Sequence, residues 1–437
     1  MRPIAALVAL AAASAASPPA PLPLSGVFSR DFMLAANVVV GQDSGSALLG
    51  LVVDSGSADV MVPLRNCSGM GEPTRDFYEP LAPPRGTAAR LPCGGGGGEG
   101  GIQCDSCQDS TCGMVIDYGG AIEEKAVVLE DAFDFQGTTL DVRMDFGGIY
   151  AIVDTAELAE GEQWKRKARF GGRQAARRAR ELVNVGKVGM LGMAYQALSE
   201  VNMPSLLGTV RSENSPPTVY DGWSHQLARN DGGTLHLGVS LTTAGVPMAS
   251  VTRVTAEKYY SIVWTDVLVD GVSIGLPPSV YRTQESIVDS GTPSVMVPQT
   301  VFDALRESML ALCSPARNLT GLCPGTVARS NETLFDGVCF PLSAAEKLLF
   351  PDVAIQLASV DGQPSAPVVY DASAYLLHQY YCNSDGEAGF GFGVDNAWLT
   401  LGLQGMLGRT TVYDRAAGLV GFSAYTATGP ALSIPVK

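Results

Sequence analysis

Apolar residues in this chain occur in short runs separated by turn-forming residues. Runs such as NVVV at 37–40 are rich in valine and are bounded by Gly, Pro, Asn or Asp. Since β-branched residues favour strands and the flanking residues favour turns, the pattern predicts many short strands joined by turns. The chain has 437 residues, of which 46% are hydrophobic, so it is long enough for two domains with sizeable cores.

One short segment occurs twice. VVDSGSADVMVP at 52–63 and IVDSGTPSVMVP at 287–298 agree at eight of their twelve positions. Each copy predicts an apolar strand that delivers an aspartate into a tight turn, followed by a second strand. Two copies imply a duplicated unit. If the two units pack about a pseudo-two-fold axis, Asp54 and Asp289 meet at that axis.

Two adjacent carboxyl groups have a chemistry that a single one lacks. They cannot both ionise cheaply, so they share one proton and their apparent pKa values split apart. The ionised member acts as a general base on a water held between them, and the protonated member donates to a substrate carbonyl. The duplication therefore predicts Asp54 and Asp289 as a catalytic pair.

The residues after each aspartate support the same site. The glycine lets backbone N–H groups approach the carboxylates closely, and the hydroxyl three residues after the aspartate can bond its outer oxygen. The serine next to each aspartate can tie the two loops together across the axis. In chain order these residues are Ser55, Gly56, Ser57, Ser290, Gly291 and Thr292.

The N-terminus predicts a targeting segment. Met1-Arg2 precedes an apolar run at 4–13 and small residues that suit cleavage near Ala15 or Ala16, so residues 1–16 are predicted to be a signal peptide. The run is too short to span a bilayer, and no transmembrane segment is expected. The predicted localisation is the secretory pathway, ending outside the cell or in a vacuole or lysosome. Three sequons mark candidate glycosylation sites, at Asn66, Asn318 and Asn331.

Secretion predicts that the nine cysteines form disulfides. In the C-terminal half, the spacing suggests that Cys313–Cys323 closes a short loop and Cys339–Cys382 a longer one. The N-terminal half has five cysteines, so one of them must be either free or paired outside this group. The five N-terminal candidates for disulfides are Cys67, Cys93, Cys104, Cys107 and Cys112.

Other classes of site lack support in the sequence. The run CDSCQDSTC at 104–112 suggests a metal knuckle, but none of the chain's three histidines is close to it. CGGGGGEGG at 93–101 is not followed by the Gly-Lys-Ser/Thr of a phosphate loop. The net charge of −15 argues against nucleic acid as a partner. We therefore expect no metal and no cofactor.

The two Asp-Ser-Gly segments resemble those of the pepsin-like aspartic endopeptidases, and the cysteine-rich stretch is similar to the plant and protist members. The resemblance covers about residues 32–424. Further segments that match the family follow in the expected order: the flap Tyr118-Gly119, Met190-Leu191-Gly192, GGTLHLG at 232–238, Thr400-Leu401-Gly402 and VYDRAAGLVGFS at 412–423.

This resemblance implies an all-β fold of two lobes about a pseudo-two-fold axis, with a cleft that takes an extended polypeptide. The flap, with Tyr118, would close over that cleft. The resemblance also implies inhibition by pepstatin-like compounds and a monomeric protein. The predicted organisation is a signal peptide at 1–16, a short N-terminal segment at 17–31, an N-terminal lobe at 32–245 and a C-terminal lobe at 246–428.

Some positions depart from the family pattern. Met61 stands where Trp is frequent, so the flap tyrosine lacks its usual partner. Pro293 removes a backbone donor that commonly holds substrate, and Leu403 replaces a frequent Asp, which is expected to raise the pH optimum. These departures leave open an alternative, an inactive pepsin-like protein that binds or inhibits other proteins. Both aspartate motifs are intact, which favours the enzyme.

One segment is foreign to the family pattern. Residues 164–180, within an insertion at about 160–182, hold eight of the chain's 29 basic residues. The composition favours helix, interrupted at Gly171-Gly172. A solvated surface insertion, a processing site for a basic-specific protease and a docking patch for anionic membranes or polymers are the three interpretations.

Overall fold

The computed structural model describes the chain between residues 21 and 426, with gaps. The gaps are 28–33, 43–45, 69–76, 81–86, 94–100, 109, 119–121, 137–140, 155–188, 214–221, 229–230, 328–331, 379–381 and 383–386. The predicted signal peptide, the whole basic insertion, Gly119 and Asn331 lie outside the described residues, as do the side chains of Asn66 and Tyr118.

Short strands make up most of the regular structure. In the N-terminal half they are β1 (Leu22–Val27), β2 (Ala35–Val40), β3 (Ala47–Asp54), β4 (Val60–Ser68), β5 (Ala89–Arg90), β6 (Ser106–Gln108), β7 (Thr111–Tyr118), β8 (Ile122–Phe135), β9 (Asp141–Asp154), β10 (Met190–Gly192), β11 (Gly222–Leu227) and β12 (Asp231–Leu237).

The C-terminal half continues the pattern with shorter strands. They are β13 (Met248–Arg253), β14 (Ser261–Ile262), β15 (Trp264–Val269), β16 (Val272–Ser273), β17 (Glu285–Asp289), β18 (Val295–Val297), β19 (Phe340–Pro341), β20 (Val353–Leu357), β21 (Val368–Tyr370), β22 (Leu376–His378), β23 (Glu387–Phe390), β24 (Phe392–Val394), β25 (Trp398–Gly402), β26 (Thr410–Asp414) and β27 (Leu419–Ser423). The α-helices of the described residues are α1 (Leu206–Glu213), α2 (Gln299–Leu310), α3 (Ala344–Lys347) and α4 (Ala372–Tyr375).

The largest sheet extends from one half of the chain into the other. Its strand order is β13-β27-β26-β11-β12-β1-β2-β3-β10-β4-β9-β8-β7-β6, with β5 beside β8. The pairing of β26 with β11 joins the two halves directly. Smaller sheets in the C-terminal half have the orders β14-β17-β25-β18-β24, β16-β15-β20-β21 and β19-β23-β22.

The same local arrangement occurs once in each half. β10 runs parallel to β3 and places Gly192 beside Asp54. In the other half, β25 runs parallel to β17 and places Gly402 beside Asp289. In each half, therefore, the strand that ends in the aspartate pairs with a parallel strand from much later in the same half. The predicted all-β, two-lobed fold with a pseudo-two-fold relation is confirmed.

An aromatic cluster fills the junction between the halves. Trp223 and Tyr413 stack with their ring centroids 4.0 Å apart. The Trp223 indole Nε1 donates to the Tyr260 hydroxyl at 2.8 Å, and that hydroxyl donates to the Met193 carbonyl at 2.8 Å. All three rings are fully buried. Buried aromatic pairs with satisfied polar atoms contribute both apolar area and directional contacts, so they fix how the two halves meet.

Four disulfides are present among the described cysteines. Cys313–Cys323 and Cys339–Cys382 confirm the predicted pairs of the C-terminal half. The N-terminal half pairs Cys93–Cys107 and Cys104–Cys112. Cys67 forms no disulfide, so its prediction as a disulfide cysteine is wrong. It is half-buried against a small apolar cluster that includes residues of β7 and β8, and the other described cysteines of this half are already paired with one another.

The first strand lies within the predicted short N-terminal segment. β1 pairs antiparallel with β12 and with β2. Leu22 and Leu24 belong to the main core. This segment therefore contributes to the sheet that joins the halves, while the domain boundaries themselves stay a prediction. No helix of the described residues is long and apolar enough to cross a membrane.

Candidate active site

Both aspartates lie at the ends of central strands. β3 ends at Asp54 and β17 ends at Asp289. Asp54 is buried and Asp289 is partly buried. An apolar strand ending in a tight Ser-Gly turn sets each carboxyl group at a strand end, as the repeated segment predicts.

The two carboxyl groups face each other across the axis, each against the opposite glycine. An ideal Cβ built on Gly56 would lie 2.6 Å from Asp289 Cγ. One built on Gly291 would lie 2.5 Å from Asp54 Cγ. Real Cβ atoms do not approach other atoms this closely, so both positions require glycine. The structure therefore brings together the two residues predicted as a pair.

Ser55 and Ser290 cross-link the two loops. The Ser290 hydroxyl accepts from Ser55 N–H at 3.0 Å and donates to the Val53 carbonyl at 2.7 Å. In the reciprocal arrangement, the Ser55 hydroxyl accepts from Ser290 N–H at 2.8 Å and donates to the Val288 carbonyl at 3.0 Å. Both serines are buried. Four hydrogen bonds therefore hold the two aspartate loops in register.

Replacing Ser290 by Ala is expected to lower the free energy of unfolding by about 1–3 kcal/mol, because it leaves a buried N–H and a buried carbonyl unpaired. Chemical denaturation of both proteins measures this difference. The exposed Ser273, whose hydroxyl donates to Asp266 at 3.1 Å, gives the control variant Ser273→Ala. That control should change stability by less than about 0.5 kcal/mol. Equal effects of the two variants would contradict the interpretation.

The hydrogen bonds to the two carboxyl groups differ. Gly56 N–H donates to Asp54 Oδ1 at 2.7 Å, and Gly291 N–H donates to Asp289 Oδ1 at 2.9 Å. The Thr292 hydroxyl donates to Asp289 Oδ2 at 2.5 Å. Ser57, its counterpart, lies near Asp54 and lowers the pKa of that residue. Its buried Oγ nonetheless forms no well-directed hydrogen bond among the described residues.

The pKa of Asp54 is raised well above its ordinary value. Burial is the largest cause, followed by the negative charge of Asp289 and the hydrogen bond between the two carboxyl groups. The Ser57 hydroxyl and Gly56 N–H lower this pKa in part. The two carboxyl groups are therefore expected to share one proton, and their apparent pKa values belong to the pair.

Comparison with known proteins agrees with this geometry. The family model for eukaryotic aspartyl proteases matches residues 165–360, a span that includes Asp289. An aspartyl protease family protein of Arabidopsis thaliana is 23% identical over 395 residues, covering 88% of this chain and 71% of the relative. These matches support placing the chain with the pepsin-like aspartyl proteases.

Other relatives match over shorter spans. A beta-secretase of Strongylocentrotus purpuratus is 26% identical over 186 residues, which are 40% of this chain and 32% of that protein. Aspartic proteinase 39 of Arabidopsis thaliana is 24% identical over 181 residues, 41% of this chain and 34% of the relative. The chain thus aligns with about a third of the length of these two relatives.

The pepsin-like flap corresponds to the hairpin of β7 and β8. Tyr118 ends β7 and pairs with Ile122 in the backbone register, and its role as the flap tyrosine stays a prediction. Met61 is fully buried below the hairpin. An ideal Cβ on Gly147 would lie 2.5 Å from Met61 Sδ and 2.9 Å from Met114 Sδ. Met61 therefore fills a small apolar core that supports the flap strands.

Pro293 and Leu403, which depart from the pepsin-like pattern, both take part in backbone hydrogen bonds between the second aspartate loop and the segment after β25. Leu403 is buried, and its N–H donates to the Thr292 carbonyl at 2.7 Å. The carbonyl of Pro293 accepts from Gln404 N–H at 2.9 Å. The segment after β25 therefore holds the second aspartate loop through its backbone, whichever side chain it carries.

Two residues near the pair were not predicted from the sequence. The Tyr413 hydroxyl donates to Ser55 Oγ at 3.4 Å, directly below the cross-linked loops. Asp59, five residues after Asp54, is buried and accepts from Glu200 N–H at 3.1 Å. Tyr413 lies in a segment that resembles the family's closing strands, but its distance from Ser55 along the chain gives no local signal. Asp59 could have been noticed in the sequence, because it is an acidic residue only five positions after Asp54.

Replacing Thr292 by Val is expected to lower kcat about 10- to 100-fold, because Asp289 loses the short hydrogen bond that holds its outer oxygen. Ser57→Ala should lower kcat by less than about fivefold, because the Ser57 hydroxyl makes only a poorly directed contact with Asp54. Steady-state kinetics with one peptide substrate at acid pH compares them, and Thr292→Ser should restore activity. A larger loss from Ser57→Ala than from Thr292→Val would contradict the asymmetry.

Proposed function

We propose that this protein is an aspartic-type endopeptidase that hydrolyses peptide bonds with Asp54 and Asp289. Membership of the aspartyl protease family supports a protease-type function in general. The observation that carries the specific proposal is the buried, hydrogen-bonded carboxyl pair, in which Asp54 has a raised pKa. A pair with one proton is suited to simultaneous acid and base catalysis.

In the first step, a water held between the carboxyl groups attacks the substrate carbonyl carbon. Asp289 takes a proton from the water, while Asp54 donates its proton to the carbonyl oxygen. The product is a tetrahedral diol. In the second step, Asp289 gives its proton to the leaving nitrogen, Asp54 takes a proton from one diol hydroxyl, and the C–N bond breaks. The pair returns to its starting protonation state.

The groups around the pair hold it in place for both steps. Gly56 and Gly291 donate N–H groups that orient the inner oxygens, and Thr292 orients the outer oxygen of Asp289. Because these donors are fixed by the fold, little reorganisation is needed as charge moves between the two carboxyl groups. The flap hairpin excludes water when an extended polypeptide is bound.

The protonation requirement sets the expected direction of the pH dependence. The raised pKa of Asp54 means that the active, protonated form is kept at low pH and is lost as pH rises through that pKa. We propose an acid endopeptidase of the secretory pathway, acting outside the cell or in a vacuole or lysosome. Substrates are polypeptides bound in an extended conformation, without a cofactor.

Two experiments test this proposal against an inactive, binding-only pepsin-like protein. Retention on pepstatin-agarose at acid pH requires a formed carboxyl pair, because that inhibitor mimics the tetrahedral intermediate. Mass spectrometry of a denatured protein after incubation then detects cleavage. Retention together with pepstatin-sensitive cleavage is expected. A folded, correctly processed sample that yields no fragments at any acid pH would overturn the proposal in favour of a binding protein.

A further inference from the structure

Asp59 is a buried acid in the loop that carries Asp54. It lies between the Asp54 turn and β4 and is 4% exposed. Its Oδ2 accepts from Glu200 N–H at 3.1 Å, and the Ser199 hydroxyl also bonds to it. Its Oδ1 is buried without a hydrogen-bond partner among the described residues. A carboxylate in this position would leave half of its charge without a donor, which is costly in a low-dielectric site.

The charged groups that face Asp59 make ionisation harder still. Glu200, on the segment after β10, and Asp105, just before β6, both add negative charge. No described lysine, arginine or histidine lies within ion-pair distance of its carboxyl group. Burial, the largest cause, and these two acids raise the pKa of Asp59 to about 6, although the hydrogen bonds from the Ser199 hydroxyl and Glu200 N–H lower it in part. The neutral carboxyl group is therefore the form that the fold favours at acid pH.

The hydrogen bonds of Asp59 join the Asp54 loop to a neighbouring segment, here called the 199–203 segment. Upstream of it, Met193 N–H donates to the Asp54 carbonyl at 2.8 Å and Ala194 N–H donates to the Ser57 carbonyl at 2.9 Å. The Ser199 hydroxyl also accepts from Met203 N–H at 2.7 Å. Asp59 thus closes a ring of contacts in which the 199–203 segment is held against the loop that positions Asp54.

The same segment reaches the base of the flap. Gln103 N–H donates to the Val201 carbonyl at 2.8 Å, and the Asn202 side chain donates to the Gly101 carbonyl at 3.3 Å. Cys104, the residue after Gln103, is disulfide-bonded to Cys112 on β7, the first strand of the flap hairpin. A contiguous set of hydrogen bonds and one disulfide therefore connects the Asp54 loop, through Asp59, to the flap.

We propose that Asp59 is a positioning residue that fastens the Asp54 loop to the 199–203 segment, and that its ionisation, which burial makes costly, favours opening of that contact and limits the pH range of the active site. The inference rests on the proposed proteolytic function. The proposed role of Asp59 is chemically independent of the carboxyl pair, because Asp59 does not touch substrate or the reacting atoms. It predicts a second group, besides Asp54, that restricts activity as pH rises.

The test compares wild type with Asp59→Asn, which keeps the acceptor for Glu200 N–H but cannot ionise. Activity is measured from pH 4 to 8, each protein relative to its own maximum. One pH unit above a pKa of about 6, roughly nine-tenths of wild-type Asp59 is ionised, so Asp59→Asn should keep up to about tenfold more relative activity at pH 7. The exposed Asp303, on α2, gives the control Asp303→Asn, whose profile should match that of wild type.

A measurement on the wild-type protein keeps the test independent of activity and of how the variant folds. Hydrogen exchange of the amides at 101–103 and 199–203, corrected for intrinsic pH dependence, should accelerate between pH 5 and pH 7. Asp59→Asn should abolish that acceleration. Exchange that does not change with pH, or an Asp59→Asn activity profile identical to wild type, would overturn the role of Asp59. Acceleration in a protein without protease activity would uphold the contact and refute only the proposed function.

Discussion

Asp289→Asn is expected to lower kcat for peptide hydrolysis at least about a thousandfold, with little change in the melting temperature. The amide cannot take a proton from water, so the attacking oxygen is no longer activated. Asp54→Asn should cause a loss of similar size, because the substrate carbonyl then lacks its proton donor. Initial rates with a fluorogenic peptide at acid pH measure both effects.

The losses of kcat caused by Asp54→Asn and Asp289→Asn should not combine in the double variant. If the carboxyl groups act as one unit, the double variant is expected to be no slower than the slower single variant, within about threefold. Asp134→Asn, at an exposed position on β8, is the matched control and should retain full activity. More than about a tenth of wild-type kcat in either single variant would exclude that residue from the catalytic pair.

Gly291→Ala is expected to lower kcat at least about a hundredfold, because the new Cβ would overlap the Asp54 carboxyl group and displace it. An ideal Cβ at this position would lie 2.5 Å from Asp54 Cγ, so either the carboxyl group or the loop must move. The expected cause is misplacement of the pair rather than unfolding. Kinetics and thermal unfolding are therefore measured on the same preparations.

Gly50→Ala is the matched control for this substitution. Gly50 lies on β3, the strand that ends in Asp54, and an ideal Cβ there would be 3.5 Å from Ala35 Cβ, an ordinary contact distance. This variant should keep kcat within about twofold of wild type. Near-normal activity in Gly291→Ala would contradict the close approach between that backbone and Asp54.

Local chemistry explains why the pair could be predicted from the sequence. Each aspartate follows an apolar run and precedes Ser-Gly, so its strand-end position depends on neighbours only a few residues away. The duplication supplied the remaining information, because two equal units related by an axis bring equivalent residues together. The many short strands followed in the same way from valine-rich runs between turn residues, whereas the all-β, two-lobed class came from the family resemblance.

The features that were missed depend on contacts between distant parts of the chain. Nine cysteines leave one unpaired, but only the fold shows that the unpaired residue is Cys67. The hydrogen bond from Tyr413 to Ser55 joins residues 358 positions apart. The role of β1 in the main sheet depends on its pairing with β12, which no local pattern indicates. The position of Asp59 near the first motif was visible in the sequence, but its burial and its contact with Glu200 were not.

The most direct test of the central claim is cleavage of denatured haemoglobin across pH 3–7 by wild type, Asp54→Asn and Asp289→Asn, with and without pepstatin. We expect cleavage by wild type alone, abolished by pepstatin and falling as pH rises through the raised pKa of Asp54. Cleavage that persists in either variant, or its absence in folded and correctly processed wild type, would contradict the account.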